Sequence, residues 1–430
     1  MAAAQTFVVK IAVLGLNVAT GVLTARALGP SGRAEQAAIQ IGVGLLPALL
    51  SFGLPVAIQY RLRSDPARQE QFVSVATTLS IAFGVVAAVL SIFILPHVVT
   101  RYPAPIVRAS ELVMVVAPLA ILYQVFCAVL QARGQFGEAN FTRYAIPLST
   151  LVALVGLLLA HRVTPLTSAL AYIAPLLWIV PWLWVRVRPK RTLSGVRDIA
   201  GSLLHYGLRS YVIDILGTLI AQIDQVLVIG LLSPFSMGLY AVALSAARSA
   251  DLFSQPIVLV LFPRASALPP AQIVDMTLRV TRIAIALLFV TTLLIVAAMP
   301  ILLPAFYGRA YLASVPVAQI IVVSITLSGA GYVFAQAYMA AGRPGVIALI
   351  NVFGLATVVP ALVFLIPRFG LVGAAWALVI STCVRLLTSL CCFPLIFKVP
   401  IPSLILTRAD VRYLKASLRH HLPESASLPT

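Results

Sequence analysis

Residues 186–200 read RVRPKRTLSGVRDIA. Arg186, Arg188, Lys190, Arg191 and Arg197 crowd into fifteen residues near the middle of a 430-residue chain. On either side lie apolar runs, roughly 164–185 and 203–232, each near the 20 or so residues that cross a bilayer. A basic stretch between two such runs reads as a cytoplasmic connection between membrane spans. It divides the chain into two parts of similar length.

The composition supports that reading. Of the residues, 61% are apolar and 10% charged, and the mean hydropathy is +1.04. Soluble domains carry about 45–50% apolar and about 25% charged residues. A soluble enzyme, a disordered chain and a disulfide scaffold are therefore excluded, and a polytopic membrane protein is expected. The net charge of +18 would suggest nucleic acid in a soluble protein. In a membrane protein it follows from basic cytoplasmic loops, and no nucleic-acid partner is implied.

Working outward from the basic stretch, twelve segments have spanning length: roughly 7–28, 36–60, 72–95, 107–131, 139–160, 164–185, 203–232, 236–263, 280–304, 314–340, 345–367 and 370–397. The apolar runs are continuous, so the expected fold is all-α rather than a barrel. With both termini placed in the cytoplasm, 20 Lys and Arg fall inside, Arg143 among them as a loop charge, and 7 outside. Arg209, Arg248 and Arg385 remain within spans. The apolar N-terminus, interrupted by Lys10, Asn17, Thr20 and Thr24, is read as an uncleaved first helix. The expected organisation is a six-helix lobe over 1–185, a basic linker over 186–200, a second six-helix lobe over 201–402, and a cytoplasmic tail over 403–430. In that tail Val411, Leu414 and Leu418 share a helical face beside Arg412, Lys415 and Arg419, the pattern of an amphipathic helix on an anionic membrane surface.

The two halves repeat. ARALGPSGRAEQAA (25–38) matches VIGLLSPFSMGLYAV (228–242) at an offset of 204. LQARGQFG (130–137) matches YMAAGRPG (338–345) at an offset of 208. Each half holds an even number of spans, so the repeat is parallel. Transporters with such repeats bind substrate between the halves and rock them.

Ala25-Arg26-Ala27-Leu28-Gly29-Pro30-Ser31-Gly32-Arg33 resembles the hallmark after the first helix of the polysaccharide-biosynthesis flippases, the O-antigen (Wzx-type) flippase family. Gly238-Leu239-Tyr240-Ala241-Val242-Ala243 and Phe262-Pro263-Arg264 resemble their eighth helix. Gly342-Arg343-Pro344 and Gly370-Leu371-Val372-Gly373-Ala374-Ala375 resemble the starts of their last two helices. Ala34 departs from the glycine usual at its position. The family belongs to the multidrug/oligosaccharidyl-lipid/polysaccharide (MOP) exporter superfamily. The resemblance implies a two-lobed, twelve-helix, MATE-like flippase. It would move undecaprenyl-pyrophosphate-linked oligosaccharide across a bacterial inner membrane by alternating access. Membrane lipids, a polysaccharide polymerase or glycosyltransferases are the implied partners.

Ionisable and polar residues inside spans mark a translocation path, because they cost about 2.5–3.5 kcal/mol each on insertion scales. Lys10, Asn17, Thr20, Gly21 and Thr24 form a polar stripe on the first helix, and Arg26 follows at its end. Arg209, Asp214 and Asp224 lie on the seventh helix, Arg248 and Asp251 on the eighth, and Arg385 on the twelfth. Asp214 and Asp224 are about 80° apart on a helical wheel and can face one cavity. The offset of 204 equates Thr20 with Asp224, which suggests one central cavity shared by both halves. Asn17, Arg26, Arg209, Asp214, Asp224 and Arg385 are the candidate cavity residues. Arg248 and Asp251, spaced i, i+3, form an ion pair or also face the cavity. Arg385 is a substrate ligand or the partner of an aspartate. Arginine forks suit phosphate oxygens, which favours an anionic, lipid-linked glycan.

No nucleotide-binding, nucleophile-elbow or metal-ligand motif is present, so no enzyme activity, cofactor or metal is expected. Coupling to H⁺ or Na⁺ through the aspartates, or use of the membrane potential, stays open. Two rival readings accompany the flippase: a cation-coupled multidrug exporter of the same superfamily, and a non-transporting scaffold for glycan assembly.

Overall fold

The computed structural model describes residues 2–189, 195–248 and 270–398. Asp251, Phe262-Pro263-Arg264, residues 190–194 of the linker, the 403–430 tail and the side chain of Lys10 lie outside what is described.

Helices account for nearly all of it. They are α1 (Ala2–Leu49), α2 (Leu54–Ser64), α3 (Gln69–Val98), α4 (Ala104–Leu112), α5 (Ala117–Ala132), α6 (Phe136–Leu159), α7 (Pro165–Ile173), α8 (Pro175–Val187), α9 (Val196–Leu231), α10 (Pro234–Ala247), α11 (Pro270–Tyr307), α12 (Val315–Ala340) and α13 (Pro344–Phe397). The described residues contain no strand. Among them nine helical stretches are long and apolar enough to cross a membrane, and α10 is a shorter apolar helix. Exposed Phe93, Leu159, Phe289 and Leu395 are among the side chains that make an apolar outer surface suited to lipid.

In two of the nine stretches a glycine of positive φ breaks one continuous helical run. Gly29 in α1 has φ 66° and Gly370 in α13 has φ 57°, so two helices meet at each. At Gly29 the following Pro30 supplies no N–H and disfavours helix in the residue before it. The expected second span, 36–60, is likewise two helices. Phe52 (φ 46°) and Gly53 (φ 68°) separate α1 from α2, ahead of Pro55.

The repeat is written into the backbone. After α5, Gly134 N–H donates to the Gln131 carbonyl at 3.2 Å and Gln135 N–H to Leu130 at 2.9 Å. After α12, Gly342 N–H donates to Met339 at 3.0 Å and Arg343 N–H to Tyr338 at 2.9 Å. Every partner is displaced by 208. Both glycines have positive φ, 77° and 69°, as the reversal at a helix C-terminus requires.

The two halves touch at two levels. At the Gly29 level, Gly238 packs on the Pro30 carbonyl so closely that a Cβ would collide with it. Ala25, Ala34 and Ala38 of α1 are buried in one core with Tyr240, Val242 and Ala243 of α10. Tyr311 Oη donates to the Ala25 carbonyl at 3.0 Å, and Arg101 Nε to the Gly230 carbonyl at 3.0 Å. At the Gly53 level, Gly53 meets Gly207 backbone to backbone, Tyr60 stacks on Tyr206 at 4.1 Å, and Tyr211 Oη donates to the Leu49 carbonyl. Twenty helical residues separate the two levels, about 30 Å. Small residues permit such close backbone approach, which is how helices associate in lipid. Gly238→Val is therefore expected to destabilise the purified protein by about 1–3 kcal/mol. A melting temperature equal to that of the parent would show that this contact does not hold the halves together.

Candidate functional site

Helix α1 divides its polar stripe. The Thr24 hydroxyl donates to the carbonyls of Thr20 (2.8 Å) and Gly21 (3.1 Å), and Thr24 is fully buried. Gly21 faces the Tyr307 hydroxyl. This end of the stripe serves packing. Asn17 and Thr20 instead line a cavity of about 400 Å³ in the N-terminal half. Its other walls are Tyr123 of α5, Asn140, Arg143 and Thr150 of α6, and Tyr172 of α7, with Val13, Ile146 and Pro147 between them.

The C-terminal half holds a second cavity, of about 350 Å³. Asp224 of α9 and Arg248 after α10 line it, with Ser324, Ser328 and Tyr332 of α12 and Asn351, Thr382 and Arg385 of α13. Asp224 is 3% exposed. Tyr240 Oη donates to Asp224 Oδ2 at 2.5 Å, while the buried Oδ1 has no hydrogen-bond partner among the described residues. The Arg385 stem lies against Gly354, where a Cβ would collide with it, and its buried Nε likewise has no partner there. The Ser324 and Thr382 hydroxyls are 3.0 Å apart.

The cavities are equivalent under the repeat. Val13, Asn17 and Thr20 plus 204 give Gly217, Ala221 and Asp224, all three lining the second cavity. Tyr123 and Arg143 plus 208 give Gly331 and Asn351, which line it too. The sequence placed Thr20 and Asp224 in one shared chamber; the structure places them in two. An offset reports which residues are equivalent, but not whether equivalent faces turn toward each other. Here α1 packs on α6 and α7 of its own half as well as on α10, and α9 packs on α13 of its own half as well as on α2 and α3.

The other candidates fall as follows. Arg26 is exposed and stands apart from both cavities. Its guanidinium donates to the carbonyls of Ala305 (2.5 Å) and Phe306 (2.7 Å), at the C-terminus of α11. A cation suits the negative end of a helix dipole, so Arg26 joins the halves. Arg209 and Asp214 are exposed on α9 and line neither cavity, so Asp214 and Asp224 do not share one. Arg385 and Asp224 line one cavity without forming an ion pair with each other. Arg248 is exposed at the cavity, and its expected partner Asp251 is outside the described residues. Sequence reasoning passed over Arg143, counted there as a loop charge. Asn140, Arg143 and Thr150, spaced 3 and 7, were a visible polar stripe.

Among solved structures the fold is similar to three of one superfamily. A multidrug resistance MATE family transporter in an inward-facing conformation matches with TM-score 0.72 and 14% identity, over 90% of this chain and 95% of that one. The lipid II flippase MurJ, inward closed, matches with TM-score 0.72 and 13% identity, over 98% and 94%. A Pyrococcus furiosus MOP superfamily transporter, described as having a binding pocket of reversed polarity, matches with TM-score 0.64 and 16% identity, over 92% and 94%. The class is thus a multi-pass membrane protein of MOP-superfamily fold. Residues 24–316 match the family of polysaccharide biosynthesis proteins, and the chain belongs to that family. No curated protein matches it in sequence.

Tyr240→Phe removes the one hydrogen bond to the Asp224 side chain seen here. A buried acceptor left without its donor costs about 1–3 kcal/mol. The variant is expected to melt below the parent in detergent, and Tyr240→Phe with Asp224→Leu to regain part of the loss. A Tyr240→Phe melt equal to the parent's would mean that the pair contributes nothing to stability.

Proposed function

We propose that this protein is a flippase for a lipid-linked anionic oligosaccharide, an undecaprenyl-pyrophosphate-linked precursor of a bacterial polysaccharide. The observation that carries the reading is the pair of repeat-related polar cavities inside an apolar fold of this superfamily, in a chain of the polysaccharide biosynthesis family. In this reading the breaks at Gly29 and Gly370, with α10 continued past its described end, make twelve spans. They form two six-helix lobes, 1–185 and 201–402. The basic linker 186–200, the tail 403–430 and both termini face the cytoplasm of a bacterial inner membrane.

Alternating access then means opening one contact level while keeping the other. The Gly53–Gly207 and Tyr60–Tyr206 contacts close the cytoplasmic side, and Arg26, Arg101 and Gly238 the far side. Asn17, Asp224, Arg248 and Arg385 serve the path from the cavities. Arg209 and Asp214 belong to the path only in a more open state, and Arg26 acts on it by closing the far side. No bond is broken, so no catalytic acid, base or nucleophile is required. An inside-negative potential helps an anion outward by about 2.3 kcal/mol per charge per 100 mV. Asp224, with one oxygen unpartnered, supports H⁺ or Na⁺ coupling. The same aspartate favours the second reading, a cation-coupled multidrug exporter.

Deleting the gene is expected to abolish a surface polysaccharide and trap its lipid-linked precursor on the cytoplasmic side, measured by precursor extraction and surface labelling. Complementation with Asp224→Ala or Arg385→Ala is expected to fail at equal expression. Intact polysaccharide with new sensitivity to cationic dyes would instead establish the exporter.

A further inference from the structure

The two cavities occupy equivalent places but differ in the charged groups that line them. Where α9 presents Asp224, α1 presents Thr20; where α13 presents Asn351, α6 presents Arg143. The N-terminal cavity is therefore lined by an arginine and by no carboxylate among the described residues. Arg143 makes no ion pair among them either. The Thr20 hydroxyl donates to its own helix, to the Asn17 carbonyl at 3.0 Å, and so faces the cavity only as an acceptor. Donors into the space come from the Arg143 fork and from the amides of Asn17 and Asn140. Tyr123 and Tyr172 add flat ring faces with polar tips. At about 400 Å³ the space falls within the range of about 300–1,000 Å³ common to small-molecule sites.

One cation, amide donors and two aromatic rings match a sugar that carries an oxyanion. The guanidinium takes two oxygens of a carboxylate or phosphate. The amides suit ring hydroxyls, and the tyrosines suit the apolar face of the ring. The C-terminal cavity differs in setting Asp224 beside Arg248 and Arg385, so its arginines share the space with a carboxylate.

We propose that the N-terminal cavity is a binding site for an acidic sugar, one bearing a carboxylate or a phosphate, with Arg143 as its anion-binding residue. The sugar part rests on the glycan reading above; the charge part rests on the cavity itself. Carboxylate on the glycan and phosphate at its reducing end are the two sources of the anion.

The test is thermal unfolding of the purified full chain in detergent, titrated separately with glucuronate, glucose 1-phosphate, glucose and inorganic phosphate. A ligand that binds only the folded chain raises the melting temperature through a stabilisation of RT ln(1 + L/Kd), with L the free ligand concentration, so the concentration dependence gives Kd. Glucuronate or glucose 1-phosphate is expected to bind at least about tenfold more tightly than glucose and than inorganic phosphate, since charge-assisted hydrogen bonds are stronger than neutral ones and the ring adds contacts that bare phosphate lacks. The tighter of the two names the source of the anion. Arg143→Gln is expected to erase the tenfold advantage, and Arg143→Lys to keep part of it. Arg68→Gln, at a surface ion pair remote from the cavity lining, is expected to leave it unchanged. The unliganded melts report whether each variant folds. Equal binding of glucose, equal binding of inorganic phosphate, or an unaltered Arg143→Gln variant would overturn the proposal. So would binding of none of the four probes, and if the deletion strain still loses its polysaccharide, that failure leaves the flippase reading standing.

Discussion

A chain inside hydrocarbon must satisfy its own backbone hydrogen bonds, and each helix end or break spends groups that lipid cannot satisfy. The architecture follows from that constraint. The breaks at Gly29, Gly53 and Gly370 come with neighbouring prolines and with positive φ that only glycine adopts without strain. Gly29 and Gly53 also sit where the halves meet, so the backbone there is enclosed by protein rather than by lipid. The Pro30 carbonyl is covered by Gly238, and the Leu49 carbonyl accepts from Tyr211.

Side chains obey the same constraint. Threonines and serines within spans return their hydroxyl protons to the preceding turn, as Thr77 does to Val73 and Ser80 to Ala76. Asparagines and charged groups cannot be satisfied that way. Several line the two cavities, and others reach the carbonyl ends of other helices, as Arg26 and Arg101 do. The unpartnered Asp224 Oδ1 and Arg385 Nε are conspicuous against this background, because a buried polar atom without a partner is costly. A transport path is a setting in which that cost is met by a ligand.

The helical class, the apolar spans and the two-part repeat were legible because they rest on composition and local periodicity. Gly134 and Gly342 were matched from eight-residue motifs, and the structure repeats their hydrogen bonds at the same offset. The cavity residues were less legible. Asn17, Asp224, Arg248 and Arg385 line cavities, yet Arg26 is a strut between halves, and Arg143 was read as a loop charge. A helical wheel gives the direction of a side chain relative to its own axis, but not the neighbour toward which that axis is rolled.

By itself the sequence determined a membrane protein of helices, its mid-chain basic connection and the equivalence of its halves, since hydropathy, charge and offset are properties of the chain alone. Only the tertiary structure decided that Thr20 and Asp224 face separate cavities, that Arg26 caps α11, and that glycine meets glycine at the Gly53 level. Those outcomes depend on how helices far apart in sequence rotate and approach one another. That rotation is set by side-chain packing and backbone clearance at each contact, which local periodicity does not record.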